Sequence, residues 1–292
     1  MERRRAVAAW AMFAPALLAV AAVVGYPFLR TAYVSLFDAP LLGKDYLWMG
    51  LGNYLAALKN SEFVAGILHT LYFAVTSVSL ELVLGIAVAL LLNQSFRGRK
   101  LVRALLVLPL ALPTVVNAAM WRWIYNPEYG ALNALLTQTH LLGSYRSWLG
   151  SAPMAMNMVV IADVWKNFPV VALLVLAGLQ TIPKELYEAS RVDGAGGWRR
   201  FAEITLPGIR PTLLVALVLR TIESLKVFDI IYVMTGGGPA SSTKTVSFYV
   251  YQEAFSFLRL GSAAAYAVLT VLLIMLFVAL YLRIIRSEGV AG

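Results

Sequence analysis

Six blocks of almost unbroken apolar sequence, at about 8–34, 66–92, 104–125, 154–180, 211–234 and 260–285, alternate with short polar stretches. Each is longer than the roughly 18–20 residues of helix that cross about 30 Å of hydrocarbon. Runs this long exclude the alternating strands of a membrane barrel. In lipid, helices are then the one way left to pair every backbone N–H and C=O. The pattern predicts an all-α, polytopic membrane protein with six transmembrane helices. The first block follows Arg3-Arg4-Arg5, as a secretory leader would. It is too long for a leader's apolar core, however, and passes through Tyr26-Pro27 without a small-residue cleavage site, so it reads as a retained first span.

Composition agrees with lipid as the solvent. Of 292 residues, 60% are hydrophobic and 13% charged, whereas a soluble domain is about 45–50% apolar and about a quarter charged. With no cysteine, disulfides and thiolate–metal sites are excluded. His69 and His140 have no metal-ligand spacing, and His69 reads as a helix-end residue. The net charge of +9 is informative through its placement. With the N-terminus in the cytoplasm, fourteen Lys and Arg fall on inside segments, Arg97, Arg99, Lys100 and Arg103 among them. Five (Lys44, Lys59, Arg146, Lys244 and Arg259) fall outside. That bias predicts that both termini are cytoplasmic. The basic residues are spread over four short segments instead of one stripe, which argues against nucleic acid as a partner.

Outside, residues 50–68 are expected to form short amphipathic surface helices. Gly236-Gly237-Gly238-Pro239 is expected to end the fifth span. Trp48, Trp121, Trp123 and Trp148 are placed near the outer boundary, where indole rings prefer to lie.

The cytoplasmic stretch between the fourth and fifth spans is the most informative. Pro183 opens a helix through Lys184-Glu185-Leu186-Tyr187-Glu188-Ala189-Ser190; Asp193-Gly194-Ala195-Gly196-Gly197 breaks it; a second helix from Trp198 is expected to stop near Leu206-Pro207. Leu186, Ala189 and Ser190 give one small, apolar face opposite Glu188 and Arg191. Such a helix fits a groove on a soluble partner.

Glu188-Ala189-Ser190, Asp193-Gly194-Ala195, Phe201, Ile204 and Leu206-Pro207 closely resemble the Glu-Ala-Ala loop of ABC importer permeases, with Ser190 where that pattern has alanine. Gly50-Leu51-Gly52-Asn53-Tyr54, Trp121-Arg122-Trp123, Asn126-Pro127 and Gly237-Gly238-Pro239 resemble the carbohydrate branch, the maltose- and trehalose-type permeases. The resemblance implies the type I ABC importer permease fold over residues 1–292 as a single permease domain, in a prokaryotic plasma membrane. It implies that residues 183–207 form the coupling helix region docking on a cytoplasmic ATPase. Glu188 would contact that subunit, Ala189 and Ser190 would permit close approach, and Gly194 would make the turn. Tyr187, Asp193 and Ala195 complete the expected docking set. The implied assembly holds this chain, a second permease in a heterodimer, two ATPase subunits carrying ATP and Mg, and an external solute-binding protein. The chain itself would carry no cofactor, and lipid would surround it.

Charged residues inside spans are costly and generally face a cavity or a partner. Asp163, Lys166 and Asn167 cluster in the fourth block. Arg220, Glu223, Ser224 and Val227, at i, i+3, i+4 and i+7, share a helical face in the fifth. These faces are expected to meet along a hydrated pathway. The resemblance places Lys166, Asn167, Val170, Arg220, Glu223, Ser224 and Val227 in its lining. The competing expectation is that Lys166 or Arg220 pairs with Glu223 simply to hold the helices together. Asn117, Trp121, Phe228 and Tyr232 are weaker candidates.

An intramembrane enzyme would need a nucleophile with a base, or clustered ligands. The chain has no Gly-x-Ser-x-Gly, no His-Glu-x-x-His and no Gly-x-x-x-x-Gly-Lys-[Ser/Thr]. A secondary transporter, independent of ATP, would show an inverted repeat, and none is evident. The expected solute is a disaccharide such as trehalose or maltose, with glycerol 3-phosphate or a glycerophosphodiester as the alternative.

Overall fold

A computed structural model of the chain describes residues 2–43 and 45–289. Lys44, one of the five basic residues expected outside, lies outside the described residues.

The first span is continuous helix: Glu2–Val20, a π turn at Ala21–Gly25, then Tyr26–Val34. A second π turn, Phe201–Thr205, precedes Leu206–Leu225. Each π turn ends two residues before a proline, Pro27 or Pro207. A proline has no N–H with which to close an α-helical bond, and the wider turn lets the helix pass it. This corrects the expectation at Leu206-Pro207. The second helix between the fourth and fifth spans does not stop there, and Gly197–Leu225 runs on as one membrane-length helix.

The second span also starts earlier than its apolar block. Gly52–Lys59 forms a short helix, as expected, but Ser61-Glu62-Phe63 open the long helix Ser61–Asn93. Asn60 caps it, its Oδ1 accepting from the N–H of Glu62 (3.0 Å) and of Phe63 (3.3 Å). His69 therefore lies inside a helix, not at its end. Its Nδ1 lies 3.0 Å from the Lys244 carbonyl; a carbonyl can only accept, so Nδ1 carries the proton.

The third block is not a straight helix. Arg99–Ala111 and Thr114–Ile124 meet at 100°. Pro113 is the cause: it bars the residue before it from the helical region, and Leu112 is extended, at φ −80°, ψ 129°. The fifth block breaks too, since Leu206–Leu225 gives way at Lys226 and a six-residue helix, Asp229–Met234, follows. Gly236 (φ +60°) and Gly237 (φ +83°) then turn the chain. Counting the bent pair as one crossing, the helices long and apolar enough to span a membrane number six among the described residues. One antiparallel strand pair, Phe37–Asp38 with Leu47–Trp48, interrupts the helices.

These elements make two compact units. One comprises the chain up to Val64 together with Tyr249–Leu273. Its core joins Val34, Ala39 and Ala264, and Phe63 stacks on Tyr266 with ring centres 4.3 Å apart. The first span in this unit leaves Met12, Phe13, Leu18 and Val23 exposed, an arrangement suited to lipid.

The other unit comprises Ala65–Phe248 and the chain from Ile274. The fourth span, Ala152–Leu179, is its axis. Val159, Val160 and Ala162 pack with Phe73, Ala118 and Ile231, while Val171, Ala172 and Val175 pack with Ala89, Leu92 and Ile209. Trp148 is buried here, not at a lipid boundary, and its indole N–H donates to Asn133 Oδ1 at 2.9 Å. Asn133 also receives the Arg146 N–H and donates to the Asn126 and Arg146 carbonyls, so one buried amide ties the loop together.

Candidate functional site

In the second unit, the second, third, fourth and fifth spans carry their polar residues to one place. Near the middle of the fourth span, Asp163 Oδ1 accepts from Asn167 Nδ2 one turn later (2.9 Å), and Lys166 Nζ donates to Thr114 Oγ1 (2.5 Å). Thr114 reaches this position because the break at Leu112-Pro113 places it at the start of a redirected helix. From the fifth span, Arg220 projects inward and is 8% exposed. Its Nε and Nη2 donate to the two oxygens of Glu81 at 2.6 and 3.0 Å, and Nη2 lies 3.7 Å from Asp163 Oδ2. The Glu81 side chain, on the second span, is wholly buried. Three spans are thus joined through one guanidinium.

These groups adjoin a cavity of about 320 Å³ lined by Thr114, Asp163, Lys166, Asn167, Arg220, Glu223, Ser224, Lys226, Val227 and Asp229, with Phe73 and Phe228. Six of the seven expected pathway residues are together here. Val170 is the exception. It lies one turn, about 6 Å, beyond Lys166 along the helix axis, and it is not part of the lining. Val227 is present for a reason the sequence pattern missed. It lies past the end of the helix at Leu225, so it does not share a helical face with Arg220; the break at Lys226 turns it in. The expected pairing of Lys166 or Arg220 with Glu223 is not formed. Glu223 pairs instead with Lys226 at 2.8 Å, on an exposed edge. Arg220 is taken by Glu81 on another helix, whose two oxygens meet its Nε–Nη2 edge.

Asn117 and Trp121 are not part of the lining: Asn117 Nδ2 donates to the Ala162 carbonyl at 3.2 Å, and Trp121 meets Trp165 edge-on. Glu81 was legible only as a lone carboxylate in an apolar block, a signal that on its own points to a buried partner.

The stretch between the fourth and fifth spans is the second feature. Lys184–Val192 is helical with no buried residue. Leu186, Glu188 and Ala189 are exposed, and Val192 is 89% and Trp198 79% exposed. Gly194 has φ +77°. The Ala195 N–H returns to the Ser190 carbonyl at 2.9 Å and closes the helix end. Tyr187 and Ser190 are partly covered, with Tyr187 Oη 3.0 Å from Thr205 Oγ1.

Residues 81–288 match the family of binding-protein-dependent transport system inner membrane components. The chain belongs to that family. It is 41% identical to the trehalose/maltose transport system permease protein MalF of Thermococcus litoralis, over 98% of this chain and 96% of that one. It is 40% identical to the sulfoquinovosyl glycerol transport system permease protein SmoG of Agrobacterium fabrum, over 95% of this chain and 90% of the other. Its fold matches a bacterial ABC transporter involved in the import of the acidic polysaccharide alginate, with a TM-score of 0.84 over 98% of this chain and 97% of that one, at 23% identity.

As a permease of this family the chain is a multi-pass inner-membrane component of an ABC importer. It works with a substrate-binding protein and with ATPase subunits, which hydrolyse the nucleotide. It is not itself an enzyme.

Proposed function

We propose that this permease carries an uncharged sugar, a disaccharide of the trehalose or maltose kind, through the cavity between Lys166 and Arg220. The charge balance of the lining carries this reading. Three carboxylates (Asp163, Glu223, Asp229) stand against three cations (Lys166, Arg220, Lys226). Such a surface offers many hydrogen bonds and no net attraction for an anion. Asn167 and Ser224 add neutral donors and acceptors, and Phe73 and Phe228 offer apolar surface to a sugar ring face. An anionic solute such as glycerol 3-phosphate would be expected to meet a cation excess. The names of the 41%-identical trehalose/maltose permease and of a 33%-identical diacetylchitobiose permease support a disaccharide, whereas the 40%-identical relative is named for a sulfonated glycoside.

In this reading the chain acts as one permease domain in a heterodimer with a second permease, surrounded by lipid, with both termini in the cytoplasm. Two ATPase subunits bind ATP and Mg. The helix Lys184–Val192 docks on one of them through its exposed Leu186, Glu188 and Ala189, with Asp193 and Ala195 beside them, and Gly194 makes the turn. ATP-driven closure moves this helix, and the fifth span transmits the movement to the cavity.

Uptake by the assembled importer in proteoliposomes tests the substrate. Labelled trehalose or maltose should accumulate with ATP, and excess glycerol 3-phosphate should not compete. Accumulation of glycerol 3-phosphate in preference to both sugars would overturn the reading, and accumulation of sugar without ATP would make the chain a secondary transporter.

A further inference from the structure

Glu81 is absent from the cavity wall, yet its contacts decide how the cavity wall is set. It is wholly buried on the second span and takes both oxygens to one edge of the Arg220 guanidinium, at 2.6 and 3.0 Å. A guanidinium is planar and its five N–H groups leave it in fixed directions. Once Nε and one N–H of Nη2 are taken by a carboxylate, the plane and the heading of the rest are fixed. Asp163 holds a second side, 3.7 Å from Nη2. Nη1 makes no hydrogen bond among the described residues, while Arg220 as a whole lines the cavity. The unused donors are therefore those available to a solute.

We propose that Glu81 is a positioning residue for transport: it aims Arg220 at the solute and cancels its charge, so that Arg220 serves as a directed hydrogen-bond donor and not as an anion trap. This rests on the reading of the cavity as the solute's path. Two consequences follow. An arginine already held at one edge loses little side-chain freedom when the solute arrives. A guanidinium facing two carboxylates also has little long-range pull on anions, so a hydroxyl-rich neutral ligand is favoured over a phosphate.

A purely structural ion pair would also be buried and bidentate, so the test must separate the roles. In the full importer reconstituted in proteoliposomes, with trehalose and maltose as probes, sugar carried per ATP hydrolysed is measured and normalised to assembled complex. Glu81→Gln and Arg220→Gln should each lower that ratio about tenfold, the scale of one lost charged hydrogen bond. Because Glu81 acts through Arg220, the double variant should be no worse than Arg220→Gln alone. Glu81→Asp, which keeps the charge but shortens the reach, should recover part of the loss. Should Glu81→Gln fail to assemble, Glu81→Asp becomes decisive, with assembly and a reduced ratio expected.

A wild-type ratio in Glu81→Gln, or in Glu81→Asp if that is the variant that assembles, would overturn the proposal. So would losses that multiply in the double variant. Val227→Trp separates the two layers, because it should plug the cavity whatever Glu81 does. Normal uptake there removes the pathway reading itself; blocked uptake there with a normal ratio in Glu81→Gln removes the Glu81 proposal alone.

Discussion

Tyr187 Oη lies 3.0 Å from Thr205 Oγ1 and joins the exposed helix Lys184–Val192 to the π turn at the start of the fifth span. Fifteen residues further along that same helix stands Arg220. A displacement of Lys184–Val192 thus has a direct hydrogen-bonded route into the element that carries Arg220 and Glu223, two of the cavity's six charged residues. Tyr187→Phe removes the bond and leaves the ring. A neutral hydrogen bond contributes about 0.5–1.5 kcal/mol, so stimulation of ATP hydrolysis by loaded binding protein should fall about two- to tenfold with normal assembly. Undiminished stimulation would show that the link is incidental.

Gly194 tests the turn. Its φ of +77° is one that side-chain-bearing residues rarely adopt, although a Cβ there would meet nothing within 4 Å. The constraint within this chain is conformational and not steric. Asparagine tolerates that region and valine does not. Gly194→Asn should keep most uptake and Gly194→Val should lose it, both inserting normally by membrane fractionation. Equal loss in both would place the constraint in the partner's groove instead.

Gly178 sets how closely the fourth and fifth spans approach. A Cβ there would lie 2.6 Å from Thr212 Oγ1 and 3.1 Å from Thr212 Cβ. Overpacking of this kind costs about 1–3 kcal/mol. Gly178→Val should lower the unfolding temperature in detergent, and Gly178→Val with Thr212→Ala should recover part of it. No recovery would mean that the two positions do not share the strain.

Glu253, in the π turn Gln252–Ser256, is buried, and its Oε2 has no hydrogen-bond partner. Burial pushes its carboxyl above the ordinary 4.5, with Arg259 opposing. The folded chain then holds this proton more tightly than the unfolded chain. The contribution to stability is largest below the unfolded value and declines as pH rises through the folded one. Glu253→Gln should therefore be more stable than the wild type at neutral pH, with the gap closing toward pH 4. Thermal unfolding across that range is the measurement, and a gap that widens on acidification would contradict the burial argument.

How much of this was legible in the sequence varied with the physics involved. Apolar length located all six crossings, because lipid leaves a helix no polar alternative. Breaks inside the blocks were harder. Pro113 bends the third by 100°, whereas Pro169 is carried inside the unbroken fourth helix and Pro207 is passed by a π turn. Proline alone does not say which of these happens; the packing around it does. Charge clusters in the fourth and fifth blocks did identify the cavity residues, since each carries several polar groups at helical spacing. Their partners were not readable: Arg220 meets Glu81 across 139 positions of sequence, and a pairing inferred from neighbours on the same helix chose Glu223 instead. The helix at 184–192 was readable from its spacing and its opening proline, and its anchor at Tyr187–Thr205 was not, because it depends on the second helix continuing through Pro207.

The account depends most on the helix Lys184–Val192 being the surface that an ATPase subunit covers. The chain contains no cysteine, so Ala189→Cys reports on one position alone. Labelling with a membrane-impermeant maleimide in oriented vesicles should reach this residue from the cytoplasmic face only, and bound ATPase subunits should protect it. Labelling from the opposite face, or labelling that bound ATPase subunits leave unchanged, would contradict the account.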